Sequence, residues 1–359
     1  MRKPESFVML AGGILFLCLS GIIPTTHGLQ NIMKIHKKSP KPSHLYSSSG
    51  ESIGDVSRRD VLVPFLGAAI TSLFLPRHAE AAVSVVSTTT DKNSNSDSSS
   101  SNSFSAYSIL PDAGPSLDPK LRRVSEKNLV REISKQSGSV WLGEHHNSLK
   151  DHEFQTSFIR SLFEQRKKDR IGGPMAIGLE QVQVQFQPVL DDFVAGKMSL
   201  EDMRSQVQWE KRWMWSFDGY SSIFLTAKEL GIRLLALNVD SEDLSIVEKA
   251  GYPGLPSETM RKYILDPAGF GAFAKERQYS TYVKYVISPS YEMHDKLGLL
   301  QYTISGEKLD EKMPFRNFLS GRILWDEAMA SSAYRWTIDN PTGLLVGLFG
   351  ADHVKFRNG

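Results

Sequence analysis

The chain has 359 residues, 40% apolar, 10% aromatic and 23% charged, ordinary globular values that exclude a wholly disordered chain and a polytopic membrane protein. The length fits one large α/β domain or two modest ones, and a formal net charge of +2 gives no electrostatic case for nucleic acid. Residues 1–81 hold nine Lys/Arg against five Asp/Glu, four of the nine histidines and the only cysteine, Cys18, which leaves 33 against 35 for residues 82–359. A mature chain starting near Ala82 would have no thiol, and so no disulfide, Cys-ligated metal centre or cysteine nucleophile.

Residues 1–28 run from Arg2 and Lys3 through an apolar stretch, Phe7 to Ile23, into small and polar residues, the layout of a secretory signal. A membrane anchor is the competing reading. The run is short for the roughly 20 residues a spanning helix needs and contains Gly12, Gly13 and Gly21, so cleavage is expected, leaving no stable membrane span after processing. Residues 29–56 carry Lys34, Lys37, Lys38 and Lys41 among Ser and Pro, with no acid before Glu51, as a plastid transit region does. Residues 57–81 place Ser57-Arg58-Arg59-Asp60 before an apolar segment, Val61 to Leu75, and the small-x-small triplet Ala79-Glu80-Ala81, which resembles a twin-arginine signal. The three in this order resemble the layered targeting of a thylakoid-lumen protein in an alga whose plastid is reached through the secretory route. Residues 82–106 are dominated by Ser, Thr and Asn, too poor in apolar groups to offset ordering entropy, and are expected to be a flexible tether. The folded domain is expected over 107–359, its order beginning between Tyr107 and Leu121.

Four apolar runs have the character of buried strands: Val140 to Leu142, Met175 to Leu179, Leu234 to Leu237 and Leu344 to Phe349. Helical spacing is expected over Leu149 to Phe163, Val184 to Phe193, Ile223 to Leu230 and Phe315 to Trp336. Strands followed by helices imply a parallel sheet with crossovers, an α/β three-layer sandwich. Each strand runs into polar residues that a buried strand would otherwise avoid: Glu144, His145 and His146; Glu180 and Gln181; Asn238; Asp352 and His353. The carboxyl ends of strands in an open parallel sheet line the ligand crevice, so these groups should converge. The imidazoles of His145, His146 and His353 with the carboxylates of Glu144, Glu180 and Asp352 suit a divalent metal such as zinc or iron, or acid/base work; imidazole also ligates haem iron. Two Gly-x-x-His words, Gly143 to His146 and Gly350 to His353, both fall at strand ends.

Gly143-Glu144-His145-His146-Asn147, Asp151-His152 with Gln155, Gly178-Leu179-Glu180, the Trp209, Trp213, Trp215 and Tyr220 cluster, Asn238, Leu324 to Ala330, and Gly350 to Val354 together resemble the haem-binding uptake ChaN domain of the Tiki superfamily, over about Val140 to Asn358. That superfamily is characterised by paired Gly-x-x-His words and a glutamate, here His146, His353 and Glu180. The resemblance implies a haem or tetrapyrrole ligand, with His146, Glu180, Asn238, Trp209, Tyr220, Asp326 and His353 around it. Tiki-type and erythromycin-esterase-like relatives are hydrolases, which keeps open a metal-dependent hydrolase in which His146, Glu180 and His353 would hold the metal and Glu144 and His145 would be catalytic. Family members continue beyond the last Gly-x-x-His word, whereas this sequence ends at Gly359, so a truncated carboxyl terminus is expected.

Aromatics from Trp209 through Tyr291 are read either as a roof for a flat macrocycle or as the core of an inserted helical subdomain. Arg261, Arg277 and Lys284 are candidate partners of porphyrin propionates or simply solvated charges. Asp326 is a candidate to orient a site histidine through its second nitrogen. No Cys-x-x-Cys-His word exists, which excludes covalent c-type attachment. A small-molecule or tetrapyrrole ligand and a homodimer are expected, and no nucleic acid partner.

Overall fold

The computed structural model describes residues 7–8, 17–20, 82–86, 105–110 and 120–353. The expected transit and twin-arginine segments, most of the secretory signal, the middle of the Ser-rich tether and the carboxyl terminus beyond His353 lie outside the described residues.

Nine strands are described: β1 (Phe7–Val8), β2 (Leu17–Ser20), β3 (Ala82–Val86), β4 (Ser105–Leu110), β5 (Lys120–Val124), β6 (Gly138–Glu144), β7 (Met175–Gln183), β8 (Arg233–Asn238) and β9 (Leu344–Gly350). Their order is β5-β4-β3-β1-β2-β6-β9-β7-β8. The four strands that form the core, β6, β9, β7 and β8, are all parallel, as the apolar runs led us to expect. The first five strands extend the sheet with mostly antiparallel pairs, Leu19 lying opposite Val140. The ends of the segment expected as a tether thus pair with each other as β3 and β4.

Side chains alternate across the core strands with the period of two that a pleated sheet imposes. On one face Val140, Leu142, Ile177, Leu179, Leu234, Ala236, Leu344, Val346 and Leu348 pack under α1 (Glu126–Ser134), α2 (Leu149–Lys168), α3 (Gln187–Val194) and α6 (Ser221–Leu230). Phe158, Ile159 and Leu162 of α2 are fully buried there, each contributing about 1.5–3 kcal/mol relative to exposure. On the other face Ala176, Leu235, Leu237, Leu345 and Phe349 meet Met329, Ala333 and Trp336 of α12 (Phe315–Asp339). A Cβ on Gly347 would lie 2.2 Å from the Trp141 ring, so glycine is what lets the indole lie flat across β9. Helices on both faces make the expected three-layer sandwich.

The inserted helical subdomain follows β8. It comprises α7 (Ser241–Ala250), short helices between Ser257 and Lys296, and the start of α12. Tyr282, Ile287, Leu300, Met313, Phe318 and Ile323 form a core of their own within it. The edge strand β8 is protected: the Gln187 side chain donates to the Leu234 carbonyl (2.8 Å) and accepts from the Ala236 N–H (2.8 Å), standing in for a neighbouring strand. At the amino-terminal end of the sheet the buried Arg166 guanidinium donates to the carbonyls of Ser134, Gln136, Gly172 and Thr342, tying three connections together. Among the described residues no helix is long and apolar enough to cross a membrane.

Candidate ligand site at the strand ends

The carboxyl ends of the core strands bring the expected polar groups together. Glu144 ends β6 and is paired in register with Gly350, the end of β9. β7 stops pairing with β9 at Leu179 and shifts register against β8 between Leu179 and Gln183. This irregularity frees Glu180 and Gln181 from the ladder at the level of the other strand ends, as bulges beside functional sites do.

Glu144 is buried and is the hub of one cluster. Its Oε1 accepts from the Tyr220 hydroxyl (2.6 Å), Gln181 Nε2 (3.1 Å) and His146 Nδ1 (2.9 Å), while Oε2 accepts from Gln155 Nε2 (2.9 Å). His152 lies across the Tyr220 ring with its Nε2 3.6 Å from Oε1, beyond hydrogen-bond reach but within electrostatic reach. Burial alone would push this carboxyl up; the hydrogen bond from His146 and the charges of His146 and His152 outweigh it and hold Glu144 well below the usual carboxylate range. For His146 burial opposes the proton, but Glu144 and the charge of Glu180 raise its pKa above the ordinary value.

The second cluster centres on His353. Its Nε2 is 3.1 Å from Glu180 Oε1, and its Nδ1 is hydrogen-bonded to Asp326 Oδ1. Asp326 Oδ2 accepts from the Tyr282 hydroxyl (3.1 Å), and Glu180 Oε2 accepts from the Gly350 N–H (2.6 Å). Burial disfavours the imidazolium, yet the two facing carboxylates raise the His353 pKa well above its ordinary value. Burial likewise works against the Glu180 carboxylate, and the charge of His353 lowers its pKa in spite of this. Both ring nitrogens of His353 are therefore engaged by carboxylates.

His146 differs. Its ring, 17% exposed like that of His353, packs against two indoles that touch each other (5.1 Å between centroids), Trp215 at 4.2 Å and Trp213 at 5.0 Å. Its Nε2 faces Gly350, where a Cβ would lie 2.8 Å from the nitrogen. The buried indole N–H groups of Trp213 and Trp325, the latter near His353, have no hydrogen-bond partner. Buried donors of this kind mark places where water or a ligand completes the bonding.

Not every expected residue joins the site. His145 is 54% exposed and turned to Asp151, whose Oδ2 takes both its backbone N–H (2.8 Å) and its Nδ1 (3.1 Å). Trp209 is core: its indole N–H donates to the Trp215 carbonyl (2.9 Å) and its ring packs on Trp213, Phe217, Tyr220 and Phe224. Tyr220 is 1% exposed; burial and the neighbouring Glu144 push its pKa far up, so it is a neutral phenol that buttresses Glu144. Asn238 is buried and donates to the Glu180 carbonyl (2.8 Å), pinning the bulge from behind. Arg261, Arg277 and Lys284 are exposed. The three expected metal ligands, His146, Glu180 and His353, are neighbours, but they belong to ion-paired clusters, and both ring nitrogens of His353 face carboxylates. Among the described residues no group of three or more His, Cys, Asp or Glu is disposed to hold a metal ion.

Sequence reading did not find the carboxamide clamp of Gln155 and Gln181 on Glu144, nor the hydroxyl of Tyr282 on Asp326. The available signal was alternation: Gln181 follows Glu180 in the strand, so the two serve opposite clusters.

Comparison with known proteins follows from this geometry. A structure described as cofacial heme binding to ChaN of Campylobacter jejuni is similar at 16% sequence identity and a TM-score of 0.40, covering 63% of this chain and 75% of that one. A comparison with curated proteins found no match. The family model described as haem-binding uptake, Tiki superfamily, ChaN matches residues 129–359, the whole of the core sheet and its helices. The chain belongs to that family.

Proposed function

We propose that this chain binds haem or a related tetrapyrrole at the carboxyl ends of β6, β7 and β9. The observation that carries this reading is the cluster at the strand ends in which the part-exposed imidazole of His146 packs against the indoles of Trp213 and Trp215. Aromatic faces beside an imidazole suit a flat apolar macrocycle with a metal at its centre. The unpartnered indole N–H groups of Trp213 and Trp325 supply polar contacts at its edge. When bound, haem supplies the iron centre; the chain contributes the pocket, its orientation and the charges of Glu144, Glu180 and Asp326. The family to which the chain belongs supports the same reading.

The leader signals, taken in order, support delivery to a thylakoid lumen, where the protein would handle iron or haem. A homodimer remains part of the proposal on the family likeness alone. The donor geometry favours no metal-dependent hydrolase: His353 is committed to two carboxylates and His145 is turned away from Glu144.

Absorption titration of the full-length chain with haemin tests the binding. A saturable change in the Soret band is expected; its absence at micromolar protein would sink the reading.

A further inference from the structure

We propose that His152 is a positioning residue held in reserve: a second imidazole donor for Glu144, which hydrogen-bonds Oε1 when His146 is displaced and so keeps the buried carboxylate fully bonded. The inference concerns the chain itself and does not depend on which ligand reaches the strand ends.

A carboxylate offers about four lone-pair positions, and Glu144 fills them with four donors. Tyr220 (2.6 Å), His146 Nδ1 (2.9 Å) and Gln181 Nε2 (3.1 Å) share Oε1, and Gln155 Nε2 (2.9 Å) holds Oε2. His152 is a fifth donor with nowhere to bind. Its Nε2 stands 3.6 Å from Oε1, too far for a hydrogen bond, and neither ring nitrogen has a partner although the residue is 2% exposed. Among the described residues it is the only histidine with neither ring nitrogen hydrogen-bonded. A buried polar group left unbonded is costly and calls for a reason. Here the reason is exclusion, because the place on Oε1 that His152 would take is held by His146.

The surroundings hold His152 ready for that place. It lies in the first turn of α2, whose amino terminus is capped by the Ser148 hydroxyl accepting from the Asp151 N–H, so its backbone is fixed. Tyr220 lies across the ring at 4.0 Å between centroids, and a Cβ on Gly219 would lie 2.9 Å from Nδ1. With Nδ1 against the Gly219 backbone, Nε2 is the nitrogen turned to Glu144, and a shift of about 0.7 Å brings it to ordinary bonding distance. His146 is placed differently. It follows the end of β6, is part-exposed, and is hemmed in by Trp213, Trp215 and Gly350. A ligand seated among these residues displaces the His146 ring, and the vacated place on Oε1 then falls to His152.

The test is a double-mutant cycle on the full-length chain: wild type, His146→Ala, His152→Leu and the pair, each unfolded by denaturant. The double variant is expected to lose about tenfold more in its folding equilibrium constant than the product of the two single losses, since only there does Glu144 lack both imidazoles. His152→Gln, which keeps an N–H donor of similar reach, is expected to remove most of that excess in the His146→Ala background; a role in packing alone would not respond to it. Effects that multiply to within about twofold, or an excess that His152→Gln leaves unchanged, overturn the proposal. A second readout stands even if the double variant does not fold. In the ¹⁵N-histidine-labelled chain, the His152 Nε2–H proton is expected to move downfield in His146→Ala as the new bond forms. An unmoved resonance overturns the proposal, water having filled the vacated place. No haemin enters either measurement, so failure here leaves the haem reading intact.

Discussion

The two Gly-x-x-His words, identical in spelling, have unlike surroundings. Both histidines sit at the ends of adjacent parallel strands, and both place Nδ1 on a carboxylate that also accepts a tyrosine hydroxyl: Glu144 with Tyr220, Asp326 with Tyr282. The difference lies at Nε2. In the first word it is left open beside Gly350; in the second it is closed by Glu180 from the bulged end of β7. The first word carries its own carboxylate, whereas the second borrows Asp326 from a helix and so joins the inserted subdomain to the sheet. One histidine has a single carboxylate at hydrogen-bond distance and the other has two, and only the partners distinguish them.

Several substitutions would break or sharpen that contrast. The largest effect is expected at Glu144. Its replacement by Ala leaves His146, Tyr220, Gln155 and Gln181 without their shared acceptor, and loss of one member of a buried pair costs about 3–5 kcal/mol. Denaturant unfolding monitored by tryptophan fluorescence measures it; a loss below 1 kcal/mol would remove Glu144 as the hub. Next is His353→Ala, which buries Glu180 and Asp326 without their cation and should cost about 3 kcal/mol. The matching His146→Ala should cost less, about 1–2 kcal/mol, because its ring faces one carboxylate at hydrogen-bond distance where that of His353 faces two. Equal losses in the two variants would erase the contrast. Gly350→Ala is expected to cost about 1–3 kcal/mol through overpacking against His146 and to weaken haemin binding in parallel.

The pH dependence is subtler. The folded pKa of His353 lies well above 6.5, so its stabilisation is fully present below pH 6.5 and lost as pH rises through the folded value. Glu327, the neighbour of Asp326 on α12, has its carboxyl pushed up to about 7, chiefly by burial. It too loses stability with rising pH, between about 4.5 and 7. Replacing Glu327 with Gln separates the two. This change should raise stability at pH 8 by about 1 kcal/mol after solvent screening and leave it unchanged near pH 4. In that background the remaining alkaline loss is shared by His353 and His146, whose pKa values are both raised, and it should shrink in the Glu327→Gln, His353→Ala double variant to the His146 share. On the acid side Glu144 and Glu180 act oppositely: their depressed pKa values contribute stability above about 4.5 that is lost as pH falls through the folded values.

Much of this was legible in the sequence. The core strands announced themselves as short apolar runs because both faces of a parallel sheet are buried. Their polar ends announced a crevice. Boundaries were drawn short wherever a strand continued into polar residues: β7 runs on through Glu180 and Gln181 to Gln183, and β6 reaches Glu144. The register shift in β7 has no local sequence signature, since it is set by neighbours, so the alternation of Glu180 and Gln181 could not show which cluster each would serve. The pairing of Ala82–Val86 with Ser105–Leu110 was masked by the Ser-rich composition between them. Which aromatic is core and which faces the site could not be read from spacing: Trp209 and Trp213 lie four apart, yet only Trp213 touches His146. Nor could the word Gly-x-x-His reveal what occupies each Nε2.

The most direct measurement of the central claim pairs haemin titration with unfolding for His146→Ala and His353→Ala at pH 7. A crossed result is predicted: His146→Ala weakens haemin binding with the smaller loss of stability, and His353→Ala keeps haemin binding with the larger one. Parallel losses of both properties in the two variants would contradict the account.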